Sequence, residues 1–168
     1  LRIFEWKRGG TMILGLYEAH LPVSDLDRSV DFYSKLGLEL AWRKGSIVFF
    51  WIEKEKSWLG LWEGEAYKTE YHPSLRHLAF RVKYDDLKNS LTWLQDLGIE
   101  AVPFAEGDSV DPFVRPSQGN ASVYFKDPDG NSLELMSFVE VPDPLRNIPN
   151  KLSFAEWERL LQENKQES

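Results

Sequence analysis

Apolar and polar positions run through the chain in one order, twice. Residues 13–23 alternate as a strand does. Leu26, Val30, Tyr33 and Leu36 then recur at helical spacing in DLDRSVDFYSKLG (residues 25–37), a predicted helix that Ser24 is placed to cap and Gly37 to stop. Residues 38–42, 47–52 and 58–62 read as three strands, with the charged turn Glu53-Lys54-Glu55-Lys56 before the last. After a polar link at residues 65–74 the order returns. Residues 75–83 read as a strand, residues 85–98 as a helix with Leu87, Leu91, Leu94 and Leu97 on one face, and residues 99–104 as a strand. Residues 105–120, with Gly107, Pro112, Pro116 and Gly119, are expected to form a long loop of the lid or binding type. Two strands, 122–125 and 132–137, close the second unit. Between them Asp127-Pro128-Asp129-Gly130-Asn131 stacks turn formers, Pro128 presetting φ and Gly130 free to take φ > 0.

The two units match in order. Leu36-Gly37-Leu38 mirrors Leu97-Gly98-Ile99, Val48-Phe49-Phe50 mirrors Val123-Tyr124-Phe125, and Leu59-Gly60-Leu61-Trp62 mirrors Leu133-Glu134-Leu135-Met136. The fold class expected is therefore α+β, with two tandem βαβββ modules at about residues 13–66 and 75–138 forming curved sheets around a cleft, plus a C-terminal helix. Residues 1–11 read as an N-terminal extension ahead of Met12, residues 12–140 as the domain, and residues 141–168 as a tail. Within the tail, residues 153–165 are predicted helical, with Ser153 and Glu156 as a capping box and Leu152 and Trp157 as a hydrophobic staple.

Composition narrows the function classes. A net charge of −7 and a pI near 5.0 argue against a nucleic-acid surface or a basic membrane patch, and favour a soluble, cytoplasmic protein. There are no cysteines, which excludes disulfides, zinc–thiolate sites and thiol nucleophiles. No apolar run is long enough to span a bilayer. Serine-triad order, phosphate-cradling glycine loops and dinucleotide motifs are missing.

What chemistry remains rests on three residues. Glu134 stands among Leu133, Leu135 and Met136, where a bare carboxylate is costly to bury. Alone it reads as an ordinary strand acid. His20 and His77 each lie in the first strand of a unit, and by the logic of the repeat they are pseudo-equivalent. Two imidazoles and one carboxylate on one face are a divalent-metal arrangement, suited to Mn, Fe, Ni or Zn, and a metal would offset the charge of Glu134. The third histidine, His72, sits in the link beside Pro73.

HLPVSDLDRSVDFYSKLGLEL (20–40), RHLAFRV (76–82) and SVYFKDPDGNSLEL (122–135) resemble the vicinal oxygen chelate superfamily, also called the glyoxalase/bleomycin-resistance/dioxygenase family. The resemblance implies paired βαβββ modules, one divalent metal held by His20, His77 and Glu134, a small oxygen-rich substrate, and a homodimer in which modules of two chains complete each site. Gly60 stands where glyoxalase I carries a fourth ligand, and Glu63, three residues on, reaches the metal only through a bulge. The three-ligand pattern, with WLGLWE (58–63), is similar to the fosfomycin-resistance thiol transferases, which implies a thiol cosubstrate. It also implies substrate contacts at Ser122 and Tyr124, the two residues given a catalytic role here, with Arg115 as a further substrate-binding residue. That group's threonine is Pro22 here, and the histidine of its turn is Asn131. A glyoxalase-like lyase stands beside that reading, and two further alternatives stay open: a metal-free ligand-binding protein of the bleomycin-resistance kind, and an extradiol dioxygenase.

Overall fold

The computed structural model describes residues 15–68 and 76–166. The N-terminal extension, His72 and most of the link between units lie outside the described residues.

The first module is β1 (Glu18–Val23), α1 (Leu26–Lys35), β2 (Glu39–Lys44), β3 (Ile47–Glu53) and β4 (Ser57–Glu63). Its helix starts at Asp25, one residue after the serine expected to cap it. Asp25 is extended (φ −150°) and its carboxylate accepts from the Arg28 amide at 2.9 Å, while Ser24 Oγ accepts from the Arg28 guanidinium instead. The helix stops at Gly37, whose φ of 89° suits a residue without Cβ. The strands form one sheet in the order β1-β4-β3-β2, with β1 parallel to β4.

The second module is β5 (His77–Arg81), α2 (Tyr84–Lys88), α3 (Ser90–Asp96), β6 (Ala101–Val102), β7 (Phe113–Arg115), β8 (Asn120–Lys126) and β9 (Ser132–Phe138). Two expectations are corrected here. The helix at 85–98 is two helices, broken at Asn89 (φ −104°, ψ 6°), where Ser90 Oγ donates back to the Leu87 carbonyl. The long loop at 105–120 contains a strand: Phe113 and Val114 are buried, and β7 pairs with β8 on one side and with the tail on the other. Burial of two apolar residues and a tail partner far along the chain override the local proline and glycine signal. The place of β2 is thus shared by β6 and β7, both antiparallel to β8, and the sheet runs β7-β8-β9-β5, with a strand of the tail beyond β7.

The tail adds β10 (Leu152–Ser153) and α4 (Phe154–Gln166). The capping box forms: Glu156 accepts from the Ser153 amide at 2.8 Å, and Ser153 Oγ accepts from the Glu156 amide at 3.2 Å. Trp157 joins a core that runs through both modules, from Tyr33, Phe50 and Leu61 to Leu94, Phe125 and Leu133. Among the described residues no helix is long and apolar enough to cross a membrane.

The predicted turn also ties the modules together. Asp127 Oδ1 accepts from the amides of Asp129 and Asn131, Gly130 takes φ 79°, and the Asn131 amide group donates to the Pro22 carbonyl of β1 at 3.0 Å. Tyr33 of α1 donates to Asp127 at 3.0 Å, and Arg28 pairs with Asp129 at 2.9 Å. Arg76, buried, donates to Asn131 and to the Asp129 carbonyl. Burial pushes the Asp127 carboxyl above its ordinary range despite these donors, and pushes the Tyr33 phenol well up.

Candidate functional site

Glu134 is carried by the central part of β9, between Leu133 and Leu135, which point into the core. Strand alternation sends its side chain to the other face, beside Tyr124 on β8, its cross-strand partner. His77 begins β5, which runs parallel to β9 with His77 beside Ser132. The two side chains meet: His77 Nε2 lies 3.1 Å from Glu134 Oε2, and His77 Nδ1 lies 3.2 Å from Ser132 Oγ.

Glu134 is 2% exposed, and its Oε1 has no hydrogen-bond partner. A buried, unpartnered carboxylate oxygen is rare enough to need an explanation. Burial pushes this carboxyl up, but His77, then Ser122 and Tyr124, more than offset that and leave it below the usual range. The last two hydroxyls face the carboxylate outside normal hydrogen-bond geometry. The closest cation is Arg115, with Nη1 3.7 Å from Oε1.

Arg115 is not on a lid. It ends β7, is 11% exposed, and lies over the rings of Phe113 (4.5 Å) and Phe104 (4.9 Å). Its guanidinium donates to Ser122 Oγ and to the Tyr124 hydroxyl, both at 3.0 Å. Tyr124 also stacks near His77, with ring centroids 6.0 Å apart. Burial, and then Glu134, push its phenol up to about 12, so at neutral pH it is a hydrogen-bond donor. Five of the six residues singled out from sequence are therefore together on one face of the second module.

His20 is not with them. It lies on β1, in the other sheet, and among the described residues no group of three or more His, Asp or Glu side chains is gathered to hold a metal. Its neighbours are Glu18, with His20 Nε2 3.3 Å from Glu18 Oε1, and Trp62, whose indole nitrogen donates to His20 Nδ1 at 2.7 Å.

Pairing also corrects the expected equivalence of the two histidines. Gly60 lies opposite Phe49 as Glu134 lies opposite Tyr124, so Gly60 and Glu134 are equivalent. His20 pairs with Gly60, whereas Ala79 pairs with Glu134. The equivalent of His77 is therefore Glu18. A sequence signal for this existed: aligning the apolar positions Ala19, Leu21 and Val23 with Leu78, Phe80 and Val82, in place of the histidines, gives the same register. Glu18 accepts from the Trp58 indole at 2.8 Å, and this bond, then His20, holds its carboxyl below the usual range. Glu63 is committed elsewhere: its carboxylate accepts from the Leu26 amide at the start of α1, at 3.2 Å.

His77 and Glu134 fit a metal. Nε2 of His77 and Oε2 of Glu134 converge to 3.1 Å, an imidazole nitrogen and a carboxylate oxygen of the kinds that bind divalent metals. Ser132 can accept from His77 Nδ1–H, leaving Nε2 free as a donor atom. The unpartnered Oε1 supplies a further oxygen.

Among characterised proteins, the chain is 31% identical to the metallothiol transferase FosB of Bacillus licheniformis over 124 residues, 73% of this chain and 75% of that protein. It is 26% identical to the FosB of Staphylococcus saprophyticus over 160 residues, 89% of this chain and 95% of that one. Among solved structures, the fosfomycin resistance protein FosX of Listeria monocytogenes, in complex with Mn(II) and sulfate, matches with a TM-score of 0.56 and 25% identity, covering 80% of this chain and 96% of that one. An integron cassette protein from the Halifax Harbour sewage outfall metagenome has the same fold, with a TM-score of 0.59 and 24% identity over 75% of this chain and all of that one. The family model for the Glyoxalase/Bleomycin resistance protein/Dioxygenase superfamily matches residues 15–135. The chain belongs to that superfamily.

Proposed function

We propose that the protein is a divalent-metal-dependent enzyme of the metallothiol-transferase type, acting on a small oxygen-rich substrate in a homodimer. The observation that carries this is the buried Glu134 carboxylate, with Oε1 unpartnered and Oε2 beside His77 Nε2. His77 and Glu134 would hold the metal from one chain. The described residues of the same chain offer no third ligand, so the remaining donor comes from β1 of a second copy, where Glu18 and His20 stand together. β1 and β5 each border their sheet, which leaves both edges available for such pairing.

The metal supplies a Lewis acid that stabilises negative charge developing on substrate oxygen. The chain's own residues set the rest. Arg115, fixed by Ser122 and Tyr124, balances the charge of Glu134 and presents positive potential to an anionic substrate group. Tyr124, kept protonated, donates a hydrogen bond to substrate; Ser122, fully buried, accepts from Arg115 and holds it in place. Resemblance to FosB and FosX names fosfomycin and a small thiol as the first pair to test. A second reading, a metal-free binding protein, is favoured by the half-exposed Trp42 and Trp62 on the corresponding face of the first module.

Purification without chelators, followed by elemental analysis and thermal melts with added Mn²⁺, Ni²⁺, Fe²⁺ and Zn²⁺, separates the two. The enzyme reading expects bound metal or a raised melting temperature. Neither with any of the four ions leaves the binding-protein reading. Consumption of fosfomycin in the presence of a thiol and the bound metal then tests the substrate.

A further inference from the structure

The first module supplies a constellation that mirrors that of the second with the donors exchanged. In the second module an imidazole sits on the first strand and a carboxylate on the last, 3.1 Å apart. In the first, a carboxylate, Glu18, sits on the first strand, and an imidazole, His20, lies across Gly60 of the last, with 3.3 Å between them. The fit over Gly60 is tight: a Cβ there would stand 2.3 Å from His20 Nδ1. The ring of His20 thus fills the space that the Glu134 side chain fills in the other module.

The hydrogen bonds tell the two first-module groups apart. An indole N–H only donates, so His20 Nδ1, at 2.7 Å from the Trp62 nitrogen, must accept. A neutral imidazole accepting at Nδ1 carries its proton on Nε2, and that proton faces Glu18 Oε1. A metal-bound histidine is wired the opposite way, donating from its second nitrogen and binding through the first. His77 can meet that pattern through Ser132 and His20 cannot while Trp62 donates to it. Glu18 meets the requirement for a ligating carboxylate: Oε1 is held by His20 and Oε2 by Trp58 Nε1, so its orientation is fixed by two donors.

We propose that Glu18, not His20, is the metal ligand contributed by the first module, that His20 and Trp58 are its positioning residues, and that the donor set is Glu18 of one copy with His77 and Glu134 of another. This rests on the metal-dependent reading above. Two carboxylates and one imidazole neutralise a divalent cation and give an oxygen-rich set, which suits Mn²⁺ better than a set with two imidazoles does.

Mn²⁺ titration of the full-length protein, followed by the electron paramagnetic resonance of the free ion, tests it without any activity assay. Loss of binding in His77→Ala and Glu134→Gln checks the underlying reading. With that in place, Glu18→Gln weakens Mn²⁺ binding by on the order of 100-fold. His20→Gln weakens it by about 10-fold, as expected for a residue that acts through a ligand. Glu18→His shifts preference from Mn²⁺ toward Zn²⁺. Mixing Glu18→Gln chains with Glu134→Gln chains restores tight binding, because each mixed dimer regains one intact site. Melts without metal confirm that the variants fold. The proposal is overturned if Glu18→Gln binds Mn²⁺ like the wild type while His20→Gln does not, or if the mixed chains recover nothing. Unchanged binding in His77→Ala and Glu134→Gln instead removes the underlying reading, and the proposal with it.

Discussion

The two modules pair their strands alike but differ in what they bury. Phe49 and Gly60 in one stand where Tyr124 and Glu134 stand in the other. On the second module this face is polar and closed: Glu134 is 2% exposed, with Arg115 packed on two rings beside it. On the first it is aromatic and open, with Phe49, Trp51, Trp58 and Trp62 around the Glu18–His20 contact, whose side chains are about two-fifths exposed. The second module gathers its polar side chains on a closed face, and the first leaves the equivalent positions open. A duplicated backbone conserves register, whereas the side chains at equivalent positions answer to whatever each face will meet.

The comparison is most strongly tested in the core, where the modules are expected to be alike. Phe50 and Phe125 are equivalent and fully buried. Phe50→Ala and Phe125→Ala are each expected to lose about 3–5 kcal/mol in urea unfolding. A much smaller loss at one of them would show that its module is not part of the shared cooperative core.

The next effect is local to the first module. Gly60→Ala places a Cβ against His20 and Phe49, and is expected to cost about 1–2 kcal/mol by overpacking and to displace His20 from Trp62. Quenching and shift of tryptophan fluorescence report the second part. Wild-type fluorescence and stability would mean that His20 does not lie over Gly60.

The tail packs on the second module: β10 pairs with β7, Phe154 stacks on Tyr84 of α2 at 4.9 Å, and Glu158 pairs with Lys88 at 2.6 Å. Ser153→Ala removes the hydroxyl that accepts from the Glu156 amide, leaves the Ser153 amide donating to the Glu156 carboxylate, and is expected to cost about 1 kcal/mol in thermal unfolding.

The last effect is confined to high pH. The Tyr124 phenol is raised from 10.0 to about 12 on folding, so between those values the folded chain holds a proton that the unfolded chain has lost. Its contribution is fully present below pH 10 and is lost as pH rises through about 12. Phe49, in the equivalent place, cannot titrate. Tyr124→Phe should therefore flatten this part of the stability profile, and absorbance titration of the phenolate locates the transition directly.

Much of the fold was legible because it is written in local patterns. The helix-stopping glycines, the Asp127–Asn131 turn and the capping box at Ser153 are short-range, with partners a few residues apart. The strand at residues 113–115 was hidden because its partners are Ala121–Ser122 and the distant Leu152–Ser153. The aromatic cradle of Arg115 was hidden for the same reason. At the candidate site, the sequence drew His77, Glu134, Tyr124, Ser122 and Arg115 to notice, and matching on residue type set His20 level with His77. Core positions set the register, and Glu18 carried no signal except through them.

By itself, then, the sequence determined the duplicated βαβββ order and the second module's polar face, since periodicity and turn chemistry act between near neighbours. Only the tertiary structure decided which residues of the two modules are equivalent, that Arg115 is packed and not on a lid, and that His20 lies apart from His77 and Glu134. Strand register is fixed by burial of one face across the whole sheet, and no residue's identity in isolation carries it.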